Sequence, residues 1–303
     1  MSFSVPILIL SFNRPLLIKK QLKLLEKLNP KELYIFSDGP RKEISSDFAK
    51  VNECRKLFNE KISWDCKIKF KFEKKNKGCG LGVSNAISWF FSEVDEGIII
   101  EDDCMIDKSF FPFAEEMLHL YRNDPKIAGI TADYKLSSSN TNNYGFIPFS
   151  LIWGWATWKR SWEGYSLNLE EFKNGEIPNL IKNMPKNQKK FWIKNFEKII
   201  SEKIPHTWDF QFSYLVMKRE QKFICPHTNL ISNLGFTLDA THTKNPFNEF
   251  AELKTGKIYK PYQMEINDSK YSKYLSTNCF IYKSRLRKLF NYLKSFIINL
   301  INR

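Results

Sequence analysis

Three consecutive carboxylates, Glu101-Asp102-Asp103, follow directly on Ile98-Ile99-Ile100. A β-branched run of this kind reads as a short buried strand, so the acidic triplet is delivered to a strand end. Like charges crowded there are unfavourable unless a cation or a set of donors answers them. A hard divalent ion with oxygen ligands meets that need and keeps positions open for the phosphates of a substrate. The competing reading is a solvated acidic turn ahead of a helix, with Asp107 and Ser109 available as caps. The other chemistry-bearing segments fit around the triplet and favour the metal.

One such segment is His206-Thr207-Trp208-Asp209-Phe210-Gln211-Phe212. Aromatic surroundings raise a carboxylate's proton affinity, which suits Asp209 to a general base, although a helix-capping Asp fits equally well. Another is Asn76-Lys77-Gly78-Cys79-Gly80-Leu81-Gly82-Val83-Ser84-Asn85. Its glycines let backbone approach a ligand closely, and amides at a helix start attract phosphate. The spacing is not that of a P-loop, and a plain tight turn explains it as well. The third is Trp153-Gly154-Trp155-Ala156-Thr157-Trp158-Lys159-Arg160-Ser161-Trp162. Four tryptophans so close together read either as a core plug or as an apolar wall on which a sugar ring stacks.

The elements that must position these groups follow from hydrophobic periodicity. Val5–Leu10, Leu33–Phe36, Ile68–Phe72, Ile98–Ile100 and Ile127–Thr131 read as strands. Between them, 16–28 and 46–59 carry apolar residues at helical spacing, the second with Phe48, Val51, Leu57 and Phe58 facing inward. Residues 86–91 and 110–121 are also helical, and 169–203 is an amphipathic Lys-rich stretch broken at Pro178 and Pro185. Strands alternating with helices predict an α/β fold, a mostly parallel sheet with helices on both faces. Ligands of such sheets sit at the carboxyl ends of the strands, which puts Ser11–Arg14, Asp38 and Glu101–Asp103 on one rim. Residues 244–280 show no regular pattern.

The chain has 303 residues, 43% hydrophobic and 15% aromatic, enough for a large core. A net charge of +14 favours acidic partners such as nucleotides or an anionic membrane surface. A basic nucleic-acid binder is disfavoured, because the acidic triplet occupies the rim where its positive charge should lie. Six scattered cysteines without a CxxC pair or a close His argue against zinc and disulfides, and fit a reducing cytoplasm. Val5–Leu10 is too short for a signal sequence, and no run reaches the roughly 20 apolar residues of a membrane span.

Taken in order, SFNRP at 11–15, SDGP at 37–40, NKGCGLGVSNAI at 76–87, EDDC at 101–104, WGWATWKRSW at 153–162, WDFQFSY at 208–214 and NLGFTLDATHT at 233–243 resemble a bacterial GT-A glycosyltransferase. The likeness is to nucleotide-sugar transferases related to the N-acetylglucosaminyltransferase I group. It implies a Rossmann-like GT-A domain over residues 1–245, with a nucleotide-binding half at 1–135 and an acceptor half at 136–245. Ser11, Asn13, Arg14 and Asp38 would hold the nucleotide, Asp38 against the base. Lys77, Gly78 and Gly80 would lie near ribose and diphosphate. Glu101, Asp102 and Asp103 match the DxD-type element, with Asp102 on the ribose and Asp103 binding Mn²⁺ or Mg²⁺. His242 would reach the metal or the diphosphate. Asp209 falls at the catalytic base, although Phe210 stands where related enzymes often carry a second acid. Trp153, Trp155 and Trp158 would face the acceptor. The implied reaction is metal-dependent, inverting transfer from a nucleoside-diphosphate sugar, a UDP-sugar first, to a glycan or glycolipid in surface polysaccharide or lipooligosaccharide assembly. The alternative enzyme is a sugar-phosphate nucleotidyltransferase, which usually carries a Gly-rich loop right after the first strand, where this chain has SFNRP.

Residues 246–303 are expected to form a helical C-terminal extension. From Arg285 to Arg303 its apolar residues keep an unbroken 3,4 spacing from Leu286 to Ile301, with basic residues and no acid on the rest. Such a helix can lie on an anionic lipid surface, which would hold the protein peripherally at the inner face of the cytoplasmic membrane. Packing on the protein's own core or on a second subunit is the other reading.

Overall fold

The computed structural model describes residues 3–136, 141–236, 253–260, 262–264 and 269–282. The chain opens as three β/α repeats and a fourth strand. These are β1 (Ile7–Ser11) and α1 (Pro15–Leu28), β2 (Glu32–Ser37) and α2 (Ser45–Lys61), β3 (Lys67–Phe72) and α3 (Ser84–Glu93), then β4 (Glu96–Glu101). A wide helical turn, Cys79–Val83, leads into α3. β5 (Cys104–Ile106), α4 (Phe110–Leu120), β6 (Ile127–Thr131), β7 (Asn143–Ile147) and β8 (Trp155–Trp158) follow. Three one-turn helices, α5 (Lys159–Trp162), α6 (Glu170–Lys173) and α7 (Asn179–Lys182), precede α8 (Lys186–Ser201) and α9 (Asp209–Lys218). β9 (Lys222–Pro226), β10 (Ile231–Asn233), β11 (Gln263–Met264) and α10 (Ser269–Asn278) complete the described chain.

Among the described residues nine strands form one sheet in the order β11-β7-β9-β6-β8-β4-β1-β2-β3. β1 to β4 are mutually parallel, and β8 inserts between β4 and β6 antiparallel to both. The expected α/β architecture, a mostly parallel sheet covered by helices on both faces, is what the chain adopts. Its cause is the period-2 side-chain alternation of strands buried on both faces. Ile7 and Ile9 join one core, with Leu33, Ile35, Ile98 and Ile100, under α1, α2 and α4. Leu8 and Leu10 join the other, with Tyr34, Phe36 and Ile99, under α3, α8, α9 and α10. Register places Ser11 beside Ser37 and Leu10 beside Glu101, so the carboxyl ends of β1, β2 and β4 meet on one rim.

Two expectations are corrected here. Phe48, assigned to the inner face of α2, is 66% exposed, while Asp47 beside it is buried. The polar residue was drawn in because it has partners, described below, and the helix rotated accordingly. The stretch 244–280, read as irregular, contributes β11 to the sheet edge through β7 and buries Tyr271 and Leu275 of α10 in the second core. Residues 285–303, where the basic amphipathic helix was expected, lie outside the described residues. Among the described residues no helix is long and apolar enough to cross a membrane.

Candidate functional site

A cleft of about 460 Å³ runs along the rim. The sheet order dictates what it meets in turn: Asn76 and Gly78 after β3, Asp38 and Arg41 after β2, Ser11 to Arg14 after β1, and Glu101 to Asp103 after β4. Beyond the carboxylates its wall is Ile152, Trp153, the segment His206–Phe210, and Asn233. One cleft therefore gathers Ser11, Asn13, Arg14, Asp38, Gly78, Glu101, Asp102, Asp103, Trp153 and Asp209 of the residues expected from sequence.

The acidic triplet is answered from within the chain. Arg14 Nη1 donates to Asp102 Oδ1 at 2.5 Å and to Asp103 Oδ2 at 3.0 Å. The backbone N–H of Phe12 donates to Asp102 Oδ2 at 2.9 Å, which ties the β1 loop to the β4 loop. Burial works against the Arg14 charge, but Asp102 and Asp103 outweigh it and hold the guanidinium more firmly protonated. Burial likewise pushes the Asp103 carboxyl up, and Arg14 pulls it back. Glu101 lacks that contact. Burial, then the charges of Asp103 and Asp102, push its carboxyl up to about 8. Asp209 is close enough to add to that effect. Gln21, buried in α1, supports the turn by donating to the carbonyls of Glu101 at 2.6 Å and Cys104 at 3.1 Å.

Asp38 is a structural tie. Its carboxylate accepts from the backbone N–H groups of Gly39, Lys77 and Gly78 and from Asn76 Nδ2, at 2.8 to 3.1 Å. A carboxylate offers about four lone-pair sites. Those donors lash the Gly-rich loop to β2, and Asp38, expected against a base, also lines the cleft. Arg55 fixes the same corner, donating to the carbonyls of Ser37, Asp38 and Glu73 while covering the Phe72 ring at 4.9 Å.

Lys77 and Gly80 do not line the cleft. The Lys77 side chain is exposed, and its contribution is the backbone bond to Asp38. Gly80 packs against the segment before Asp209: a β-carbon there would stand 2.0 Å from the Pro205 carbonyl oxygen. Thr207 on that segment donates its hydroxyl to Asp209 Oδ1. The Gly-rich turn thus seats the candidate base.

The tryptophan wall is corrected for two of its three members. Trp155 and Trp158 are 1% and 2% exposed on β8, Trp155 stacked on Trp208 in the second core and Trp158 in the first. β8 is sandwiched between β4 and β6, so every side chain on it faces a helix layer. Trp153, just before β8, does reach the cleft. Lys135 Nζ lies 3.7 Å from its ring centroid and pairs with buried Asp133 at 2.6 Å.

His242 lies outside the described residues. Among the described residues no group of three or more His, Cys, Asp or Glu side chains is arranged to hold a metal ion. A nucleotide-bound Mg²⁺ or Mn²⁺ needs fewer, one or two carboxylates with substrate phosphates and water completing the shell. Asp103 could serve in that role: it lines the cleft, its Oδ2 accepts from Arg14, and Gly235 packs so closely on that oxygen that a β-carbon there would clash with it. The antiparallel pair β5–β10 brings Gly235 there, with the Leu234 N–H donating to the Asp103 carbonyl.

Sequence reasoning missed Arg41 and Asp47. Arg41 lines the cleft and clasps Asp47 through Nε at 2.6 Å and Nη2 at 3.0 Å, while Asn13 Nδ2 donates to the same carboxylate at 2.7 Å. A basic and an acidic residue six apart, flanking a helix start, were the available signal.

Fold and site together define an α/β protein whose ligand cleft lies at the carboxyl ends of parallel strands, where open sheets of this kind hold ligands. No family model and no curated protein matches the chain. Among solved structures it is similar to HddC from Yersinia pseudotuberculosis, at 15% identity over 53% of this chain and 80% of that one, TM-score 0.33. It is also similar to a UDP-glucose pyrophosphorylase complexed with UDP-glucose, at 9% identity over 75% and 90%, TM-score 0.34. A mannose-1-phosphate geranyltransferase from Thermus thermophilus matches at 11% identity over 74% and 73%, TM-score 0.36. Superpositions this loose carry no argument about the chemistry of the cleft.

Proposed function

We propose that the chain is an enzyme acting on a nucleoside-diphosphate sugar, and that it is an inverting glycosyltransferase. The observation that supports this best is the presence, in one cleft, of two separate acid groups with different partners. Among the described residues Asp209 is held by Thr207, whereas Asp102 and Asp103 are bound to Arg14. In this reading the nucleotide lies along Ser11 to Arg14 and Gly78, and the acceptor enters beside Trp153. Asp209 takes the proton of the acceptor hydroxyl as its oxygen bonds to the anomeric carbon. The bond from that carbon to the diphosphate breaks on the opposite face, and configuration inverts. Arg14 faces the negative charge that collects on the leaving diphosphate. A Mn²⁺ or Mg²⁺ on Asp103 would add Lewis-acid neutralisation of the same charge. The acceptor is a glycan or glycolipid, and the 285–303 stripe would bring the enzyme to a lipid-borne one at the inner face of the cytoplasmic membrane.

The second reading is a sugar-phosphate nucleotidyltransferase, which would use the same parallel-sheet rim, its carboxylates and a nucleotide. Against it stands the β1–α1 loop, Ser11 to Arg14 with Pro15 opening the helix, which has no glycine to wrap a triphosphate. A single pair of assays separates the two. UDP-, GDP-, CMP- and dTDP-sugars are incubated with the enzyme and Mn²⁺, and release of the nucleotide is followed. In parallel, nucleoside triphosphates plus sugar 1-phosphates are followed for pyrophosphate. Nucleotide release without pyrophosphate formation supports glycosyl transfer, and the opposite outcome replaces it with nucleotidyl transfer.

A further inference from the structure

The cleft has a far end, over β2 and β3, away from the carboxylates of β4 and two strands from Asp103. With the diphosphate beside Arg14 and Asp103, the base of a nucleotide falls at that end. This deepens the nucleotide-sugar reading and rests on it. Its side chains are mostly committed. Asp38 holds the 76–78 loop, and Asn13 is turned away to Asp47. Arg41 differs. Its Nε and Nη2 are spent on Asp47, its plane covers the Phe12 ring at 5.2 Å, and Nη1 is bonded to no described residue. The Arg41 side chain is 37% exposed, and the residue lines the cleft.

The clasp fixes where that remaining nitrogen points. Asp47 is 1% exposed in the first turn of α2, and Asn13 and the Arg41 backbone N–H also donate to it. The Arg41 fork therefore cannot swing, and its Nη1 is a donor edge presented in one direction. A guanidinium has donors and no acceptor. It pairs well with acceptors on a base, such as a carbonyl oxygen of uracil or the O6 and N7 of guanine. Adenine sets an amino donor beside its N7, so one of two contacts becomes a clash of donors.

We propose that Arg41 is the specificity-determining residue of the base end, selecting nucleotides whose base presents carbonyl oxygens, uracil or guanine, over adenine. Asp47 is its positioning residue.

The test measures binding of UDP, GDP and ADP to the full chain by calorimetry, for the wild type, Arg41→Met and Arg41→Lys. The wild type is expected to bind UDP or GDP at least about fivefold tighter than ADP, the low end of what one good base contact discriminates. Both variants should bring that ratio close to one, mainly by weakening the preferred nucleotide. Arg41→Met leaves a buried carboxylate unpaired; if it does not fold, Arg41→Lys, which keeps the charge but not the planar fork, decides the matter. A phosphate contact would instead weaken all three nucleotides alike and keep the ratio, which overturns the proposal while leaving the nucleotide-sugar reading intact. Tightest binding of ADP by the wild type overturns it in the same way. A wild type that binds none of the three overturns both.

Discussion

Arg14 spends one nitrogen on two carboxylates: Nη1 reaches Asp102 Oδ1 at 2.5 Å and Asp103 Oδ2 at 3.0 Å. Asp102 and Asp103 side chains are 5% and 12% exposed, so water cannot take over from the guanidinium. The charge problem set by three acids in a row is met by an arginine 88 residues earlier in the chain. It reaches them because β1 and β4 are parallel neighbours whose ends coincide. A divalent cation at Asp103 would bind a carboxylate that Arg14 already holds.

Replacing Arg14 with methionine keeps the length of the side chain and removes the charge. Two buried carboxylates are then uncompensated, and the variant should lose about 3 kcal/mol of stability at neutral pH. Urea unfolding measures it. Millimolar Mn²⁺ should recover part of the loss in Arg14→Met, and none of that recovery should survive the further change Asp103→Asn. A loss below about 1 kcal/mol would mean that the carboxylates are hydrated after all.

Asp209→Asn preserves shape and the contact with Thr207 but cannot accept a proton. Turnover of the donor onto an acceptor should fall by about 10²–10⁴-fold while donor binding is unchanged. A fall of less than tenfold would assign the proton to another carboxylate of the cleft, Glu101 first.

How much of this was legible beforehand divides along a physical line. Strands buried on both faces announce themselves locally, and Ile127–Thr131 was bounded to the residue. The rim followed from the parallel sheet alone, which is why Ser11, Arg14, Asp38 and the acidic triplet were brought together correctly. Side-chain partnership was not legible. The donors that Asp38 gathers could not be foreseen, because Lys77 and Gly78 are about 40 residues away in sequence. Trp155 and Trp158 looked like a binding wall because nothing local says that β8 will be enclosed by β4 and β6. Phe48 was placed inward because hydrophobicity was weighed and the pull of Arg41 and Asn13 on Asp47 was not.

Two glycines of one turn should behave differently on conversion to alanine. At Gly80 the new β-carbon meets the Pro205 carbonyl at 2.0 Å, and backbone must shift. Gly80→Ala should cost about 1–3 kcal/mol. Because the displaced segment carries Thr207, the change should also lower turnover more than it weakens nucleotide binding. At Gly78 nothing stands within 4 Å, and only its φ of +77° resists a side chain. Gly78→Ala should cost about 1–2 kcal/mol and leave the turnover of the folded enzyme closer to wild type. Equal losses of turnover in both variants would dissociate Gly80 from the seating of Asp209.

Asp47 makes stability depend on acid. Burial raises its proton affinity, but the hydrogen bonds from Arg41 and Asn13 and the Arg41 charge outweigh that and hold the carboxyl below its usual range. In the unfolded chain it titrates near an ordinary value of about 3.9. The unfolded state therefore binds the proton first, and stability falls as pH drops. Above the unfolded value the contribution is complete and flat with pH; it is lost as pH falls through the lower folded value. Arg41 stays charged throughout and adds no pH dependence of its own. Comparing the melting temperatures of wild type and Asp47→Asn from pH 2 to 8 reads this directly. The wild-type advantage should be constant above about pH 5 and should shrink progressively as the pH falls below about 4. A gap of the same size at every pH would mean that Asp47 acts through shape and neutral hydrogen bonds, and that the clasp on Arg41 does not depend on its charge.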